Sequence, residues 1–162
     1  MNCTSSPASS RILTLGDWSL HGDLARRVKG GDPSVIREAA GMMASALALP
    51  PDGVLIPMPS HLGRATDMLL LSQAISALSG LPVLDILCGP ERTSVHLLKK
   101  AGMPLPDPSA LGLRLHGDLP CGVTPLLVDN VIGTGLTMKA ALALVPSGVP
   151  CTLAVDTRRM SL

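Results

Sequence analysis

Residues 126–137 read LLVDNVIGTGLT, and this stretch decides how the rest of the chain is read. The aliphatic run Leu126-Leu127-Val128 fits a strand of a buried parallel sheet. Asp129 and Asn130 stand at the carboxyl end of that run. A loop of small residues follows, Gly133-Thr134-Gly135-Leu136-Thr137, and it leads into an expected helix over 137–144. In an open α/β sheet, ligands bind outside the carboxyl ends of the strands. Backbone N–H groups of such a loop, with the helix N-terminus behind them, form an anion site. Glycine lets the backbone come close to an oxyanion. Thr134 and Thr137 add hydroxyl donors. A carboxylate beside a bound phosphate repels it, so Asp129 suits a different partner: the vicinal hydroxyls of a ribose, or a magnesium ion. The bland alternative is a strand ending in a turn, with Asp129 as an ordinary cap. The stretch has neither the GK[ST] of a Walker loop nor a GxGxxG fingerprint.

Outward from this stretch, strand and helix signals alternate. Ile12–Leu20 reads as two short strands turning at Gly16-Asp17. A short helix is expected over 22–29, stopped by Gly30-Gly31. Asp32-Pro33 opens a longer helix with an acidic cap and a proline in the first turn. Its apolar face comprises Val35, Ile36, Ala39, Ala40, Met42, Met43, Ala46 and Leu47, and Pro50-Pro51 ends it. Val54–Ile56 reads as a buried strand, Pro57–Arg64 as a loop, Ala65–Ser79 as a helix and Val83–Leu87 as a second strand. The stretch 88–121 is long and mixed, with a short helix expected over 91–100; connections of this length are commonly functional or mobile. Pro125–Val131 is the clearest strand and Cys151–Val155 the last one. This order implies one α/β domain over 11–162, a mostly parallel sheet with helices on both faces, preceded by a flexible tail over 1–10.

Composition narrows the function. The chain has 162 residues, 46% hydrophobic and only 15% charged, which excludes a disordered chain. There are 29 leucines, no Phe and no Tyr, so the core is aliphatic and rows of aromatic stacking platforms for nucleic acid are excluded. The single aromatic, Trp18, either packs on the core or borders an acceptor pocket. A net charge of +1, with no run of five like charges, argues against a broad nucleic-acid surface. Arg26-Arg27, Lys99-Lys100 and Arg158-Arg159 are local anion contacts or solvated faces. Cys3, Cys88, Cys121 and Cys151 lack zinc-ligand spacing, and the last three read as small buried hydrophobes. No stretch resembles a secretory signal or a membrane span, so a cytoplasmic protein without a membrane partner is expected.

Residues 126–137 resemble the phosphoribosyl diphosphate (PRPP) motif of type I phosphoribosyltransferases: four apolar residues, two acids, two apolar residues, then a small-Thr-Gly-x-Thr loop. Asn130 stands at the second acidic position. Gly133 stands where some purine enzymes of the family carry a carboxylate. The chain is most similar to the ComF-type branch, linked to competence. HGDLARRVKGGD (21–32) resembles that branch's lysine-containing helix, with Lys29 at the lysine. IPMPS (56–60) resembles its Pro-x-Pro loop. RTSVHLL (92–98) resembles its Arg-Thr-x-x-Gln segment, with His96 at the glutamine. The resemblance covers most of 20–159, while the branch's N-terminal zinc finger and usual aromatics have no counterpart.

The resemblance implies a single-domain phosphoribosyltransferase-like fold with 88–121 as a flexible hood. It implies a ribose and 5′-phosphate site at Asp129, Asn130, Gly133, Thr134, Gly135, Leu136 and Thr137. The pyrophosphate would meet Ser60, Arg64, Arg92, Lys99 and Lys100. Asp129 would be the metal-side carboxylate for Mg2+ and, with His96, a catalytic residue. The implied activity is transfer of the phosphoribosyl group, a glycosyltransferase reaction, to an unidentified acceptor. Three alternatives stay open: a non-catalytic PRPP or nucleotide sensor, a competence-type accessory protein, and a general phosphosugar-binding domain. A homodimer is compatible with all of them.

Overall fold

The computed structural model describes residues 11–160. The expected tail over 1–10, Cys3 within it, and 161–162 lie outside the described residues. The elements in chain order are β1 (Leu13–Thr14), α1 (Trp18–Val28), α2 (Pro33–Ala46), β2 (Gly53–Pro57), α3 (Thr66–Ser79), β3 (Leu87–Cys88) and α4 (Val95–Lys100). A 3-10 turn at Pro108–Leu111, β4 (Arg114–Leu115), β5 (Thr124–Ile132), α5 (Leu136–Leu144) and β6 (Val149–Val155) complete them. Four strands form one parallel sheet in the order β1-β6-β5-β2, and β3 pairs with β4 in a small antiparallel sheet.

The central strand explains the layering. Leu126 and Val128 of β5 join one apolar cluster with Ala25 and Val28 of α1, Ala39 and Met43 of α2, and Leu71 and Ile75 of α3. Leu127 points to the opposite face, into a cluster with Met138 and Ala141 of α5 and Leu87 of β3. Alternation along the strand therefore buries both faces, as the aliphatic run required. Each large aliphatic side chain so buried contributes about 1.5–3 kcal/mol. Helices on both faces of a parallel sheet are thus present, with α1, α2 and α3 on one side and α5 on the other.

Four expectations need correction. The first concerns the amino-terminal hairpin, which does not form. Leu13 and Thr14 pair in parallel with Cys151 and Thr152 of β6. Asp17 is the N-cap of α1: its carboxylate accepts the Ser19 N–H at 2.9 Å and the Ser19 hydroxyl at 2.8 Å. An Asp-x-Ser cap has outcompeted the turn reading. Secondly, the helix begins at Trp18 rather than Gly22, because Gly22 is an interior position. A Cβ there would lie 2.6 Å from the Trp18 ring, so the glycine makes room for the indole.

The third correction concerns Val83–Leu87, which is not one strand. Val83 forms a single parallel bridge with Leu55, held by Leu55 N–H to Pro82 O and Leu84 N–H to Leu55 O, both 2.9 Å. Asp85 stays exposed, and the chain leaves the main sheet before Leu87 and Cys88 pair with Leu115 and Arg114. A buried position there would strand an unpaired carboxylate. Finally, only Cys151 behaves as a buried hydrophobe; burial pushes its thiol up to about 12. Cys88 is half-buried and Cys121 exposed. Ala46, counted on the apolar face of α2, is likewise exposed at the helix end.

The expected hood, 88–121, is docked to its surroundings at several points. Ser94 caps the short helix α4, accepting the Leu97 N–H at 3.1 Å. The 3-10 turn packs on α5 through buried Leu111. Among the described residues no helix is long and apolar enough to cross a membrane.

Candidate functional site

A cavity of about 700 Å3 opens at the carboxyl ends of β2, β5 and β6. This is where a parallel sheet presents its loops to a ligand. Its floor is Asp129 to Met138, so the whole polar part of the deciding stretch lies in one wall.

The helix starts carry the first piece of electrostatics. α1, α2 and α4 are capped by the side chains of Asp17, Asp32 and Ser94. α3 and α5, which follow β2 and β5 into the cavity, have no side-chain cap. An uncapped start leaves the first N–H groups and the positive end of the helix dipole for a ligand. α5 has no acidic residue in its first turn, whereas α3 carries Asp67 there. An anion is therefore favoured at α5 and opposed at α3. Gly135 precedes α5 with φ 80°, the left-handed conformation that favours glycine. A Cβ on Gly133 would meet no atom within 4 Å, so that glycine borders open space. Thr134 and Thr137 both line the cavity, and the Thr134 hydroxyl accepts the Leu136 N–H at 3.4 Å.

Asp129 is half-buried and lines the cavity. Desolvation raises its pKa to about 6, against the opposing pull of the Asn130 N–H, the Lys29 charge and the Val131 N–H. The Asn130 N–H reaches its carboxylate at 2.8 Å. The group thus titrates near neutrality and gains from any cation or hydroxyl donor placed beside it.

Asn130 also has a structural task. The Lys29 N–H turns to the carbonyls of Arg26 and Arg27 at the end of α1. The Ala25 carbonyl instead accepts the Asn130 amide at 2.7 Å, a buried bond across 105 residues. Asn130 is 3% exposed; its amide nitrogen ties α1 to β5, and the residue also lines the cavity.

The expected pyrophosphate residues separate into two groups. Ser60, Arg92, Lys99 and the adjacent His96 line the cavity. Arg64 and Lys100 do not; Lys100 borders a shallow hollow with Leu97 on another side of α4. The β2–α3 loop is also largely stitched to itself. Ser60 N–H bonds to Arg64 O at 2.9 Å, Gly63 N–H to Ser60 O at 3.0 Å and Leu62 N–H to the Ser60 hydroxyl at 3.1 Å. The hood fastens onto the same loop through Gly89 N–H to Gly63 O, 3.0 Å, and Arg92 N–H to His61 O, 2.9 Å. Gly63, with φ 83°, is obligatory here because a Cβ would collide with the Gly89 carbonyl.

Arg92 is the most distinctive cation. One guanidinium nitrogen donates to the Ser60 carbonyl at 3.2 Å, while the buried Nε has no hydrogen-bond partner. Burial lowers its pKa. A desolvated donor of this kind gains most from an anionic acceptor.

Sequence reading singled out Arg26, Lys29, Trp18 and Arg159 without placing them together; all four line this cavity. It missed Asp67 and Asp156. Asp156 follows β6 directly and is 6% exposed, and Arg159 Nε lies 3.1 Å from its Oδ2. The rule that identified 126–137 applies equally to the polar residues after the last strand, and would have found this pair. In all, five Lys and Arg side chains face three aspartates, which suits a polyanionic ligand.

Among the described residues no three His, Cys, Asp or Glu side chains cluster to hold a metal. Magnesium keeps several waters and uses one or two carboxylates together with substrate phosphates. Asp129, half-buried and facing the cavity, fits that sparse donor set for a metal carried by a diphosphate. No protein-family model matches the chain, and no curated protein matches it.

Proposed function

We propose that the cavity binds PRPP, and that the protein is a phosphoribosyltransferase-like enzyme of the type I, ComF-like kind. The observation that carries this reading is the β5–α5 turn. It combines an uncapped helix start, the left-handed Gly135 and a cavity-facing carboxylate in one wall. The 5′-phosphate would sit at Gly133–Thr137 on the helix N-terminus. Asp129 would accept hydrogen bonds from the ribose hydroxyls. The diphosphate would lie toward Arg92 and Lys99, whose positive charges offset its own.

The reaction is displacement at C1 of the ribose. The acceptor's lone pair forms the new bond to C1 as the C1–O bond to diphosphate breaks, and that electron pair leaves with the diphosphate. Charge develops on the leaving oxygens, so preorganised cations lower the barrier. Arg92 is suited to this because it is a half-buried cation on the cavity wall. Lys99 adds a second positive charge, and Asp129 faces the electron-poor sugar. His96 lines the cavity and can take the proton that a protonated acceptor releases. Magnesium, when bound through Asp129 and the diphosphate, would further neutralise the leaving group.

A second reading, a non-catalytic PRPP or nucleotide sensor, is favoured by the β2–α3 loop. Its Ser60, Leu62 and Gly63 N–H groups are engaged within the loop and are not presented to a diphosphate. The readings are separated by incubating the full chain with PRPP, Mg2+ and a panel of nucleobase and amine acceptors. Pyrophosphate release with one acceptor supports the enzyme. PRPP binding in calorimetry without release supports the sensor. Ribose 5-phosphate binding as tightly as PRPP overturns both in favour of a general phosphosugar site.

A further inference from the structure

Part of the cavity wall is a helix. Trp18 and Arg26 of α1 line it, together with Lys29 at the helix end. Leu24, Ala25 and Val28 of the same helix are buried in the core. Apolar burial is non-directional, so it holds a helix against a sheet without fixing where its end lies. Directional contacts supply that. At the start of α1, Asp17 bridges in parallel to Val155 and accepts the Thr157 hydroxyl at 2.7 Å. At its end, the Asn130 amide donates to the Ala25 carbonyl at 2.7 Å.

The second contact answers a specific need. In a continuing helix the Ala25 carbonyl would accept the N–H of Lys29, one turn on. That N–H turns instead to the carbonyls of Arg26 and Arg27. The Ala25 carbonyl is left without its helical donor at a fully buried residue, and Asn130 supplies one. Only a donor serves here, because an ionised carboxylate of the same shape would set its lone pairs against the carbonyl. An amide therefore suits the position where the two-acid pattern has a carboxylate. The Asn130 backbone N–H meanwhile reaches Asp129 Oδ1 at 2.8 Å. One residue thus joins the cavity carboxylate to the helix end that carries Lys29. Lys29 makes no ion pair among the described residues, yet its charge acts on Asp129. A cation on the wall with no carboxylate in contact is open to an anionic ligand.

We propose that Asn130 is a positioning residue: its bond to the Ala25 carbonyl fixes the end of α1 and holds Lys29 on the cavity wall, where Lys29 contacts the anionic ligand. The inference deepens the reading above and rests on it only in naming PRPP as that ligand. It gives Asn130 a task directed at α1 rather than at the ribose.

The test is a double-mutant cycle on the full chain, read by calorimetry with PRPP and Mg2+. Lys29→Met is expected to weaken binding about tenfold and Asn130→Ala about fivefold. The double variant should lose no more than about tenfold, because Asn130 acts through Lys29. A loss that multiplies to about fiftyfold marks Asn130 as merely structural and overturns the proposal. Unchanged affinity in Lys29→Met overturns it too. Asn130→Asp, which keeps the shape and removes the donor, should bind no better than Asn130→Ala; wild-type affinity there would show that the position serves the ribose, and would refute the proposal. If the Asn130 variants do not fold, the wild type still decides. A tether that positions Lys29 for the ligand must be tightened by the ligand in return, so PRPP should slow proton exchange of the Asn130 side-chain amide. Unaltered exchange at saturating PRPP overturns the proposal. Inorganic pyrophosphate, titrated in parallel through the same cycle, separates the failures. Pyrophosphate binding with the same non-additivity but no PRPP binding removes the phosphoribosyl reading and keeps the positioning role, and binding of neither overturns both.

Discussion

The β2–α3 and β5–α5 turns share a plan: each leaves a parallel strand, passes a left-handed glycine, and enters a helix without a side-chain cap. They differ in where their hydrogen-bond donors go. In the β2–α3 turn, Ser60, Leu62 and Gly63 spend their N–H groups inside the loop. Its helix also starts with Asp67, an internal anion. In the β5–α5 turn the Leu136 N–H also turns to a loop hydroxyl, that of Thr134, but the helix start has no acid and Gly133 borders open space. The clearest electrostatic difference between the turns is therefore the first-turn carboxylate, which opposes an anion at α3 and is absent at α5.

The sharpest way to break this contrast is Gly135→Val. A branched Cβ in the left-handed conformation is strained and crowds the backbone facing the anion. PRPP binding is expected to fall by more than about 100-fold, roughly 3 kcal/mol or more. Calorimetry on a variant with wild-type circular dichroism checks this, and unchanged affinity would sink the phosphate assignment.

Asp129 sharpens the contrast in two ways. Asp129→Ala should weaken PRPP by about 1.5–3 kcal/mol, the range for hydrogen bonds to a charged group, with the fold retained. If the domain unfolds while the folded fraction keeps its affinity, Asp129 is a structural cap. Asp129→Asn should stabilise the ligand-free protein at pH 7. The native carboxyl titrates near 6 against an ordinary value of 3.8, so its favourable contribution is complete below about pH 4 and is lost as pH rises through 6. Removing the charge should recover up to about 3 kcal/mol at pH 7 and nothing at pH 3.5. Denaturation curves of the two proteins at both pH values test the sign. The ionised form is the one that serves a cation or hydroxyl, so PRPP affinity should rise with pH through about 6.

The smallest effect belongs to the closed turn. Arg64→Ala should change PRPP affinity less than about twofold, since only the Arg64 carbonyl is engaged and its side chain lies off the cavity. A loss comparable to that of Asp129→Ala would show that the β2–α3 turn rearranges to meet the ligand.

Local patterns along the chain determined the alternation of strands and helices, the Asp32-Pro33 cap, the double-faced burial of 126–128, and the grouping of Asp129 with Gly133–Thr137, which line one cavity. Each follows from residues adjacent in sequence, where side-chain alternation and backbone conformation suffice. Tertiary structure decided the rest. Trp18 gains its helical position from the Asp17 cap and its space from Gly22, four residues on. Val83–Leu87 divides because Val83 can join β2 while Asp85 must stay in water. Asn130 was legible as a polar residue at a strand end, yet its amide is claimed by Ala25 across 105 residues. Arg64 and Arg92 look alike in a sequence, but one lies outside the cavity and the other is half-buried in its wall, with an unpartnered Nε. Asp156 and Trp18 are 138 positions apart, and the contacts of Asp17 with Val155 and Thr157 help bring both to one cavity. Hydrogen bonds and burial depend on which distant groups the sheet order brings together, and that order is not written in any single stretch of the chain.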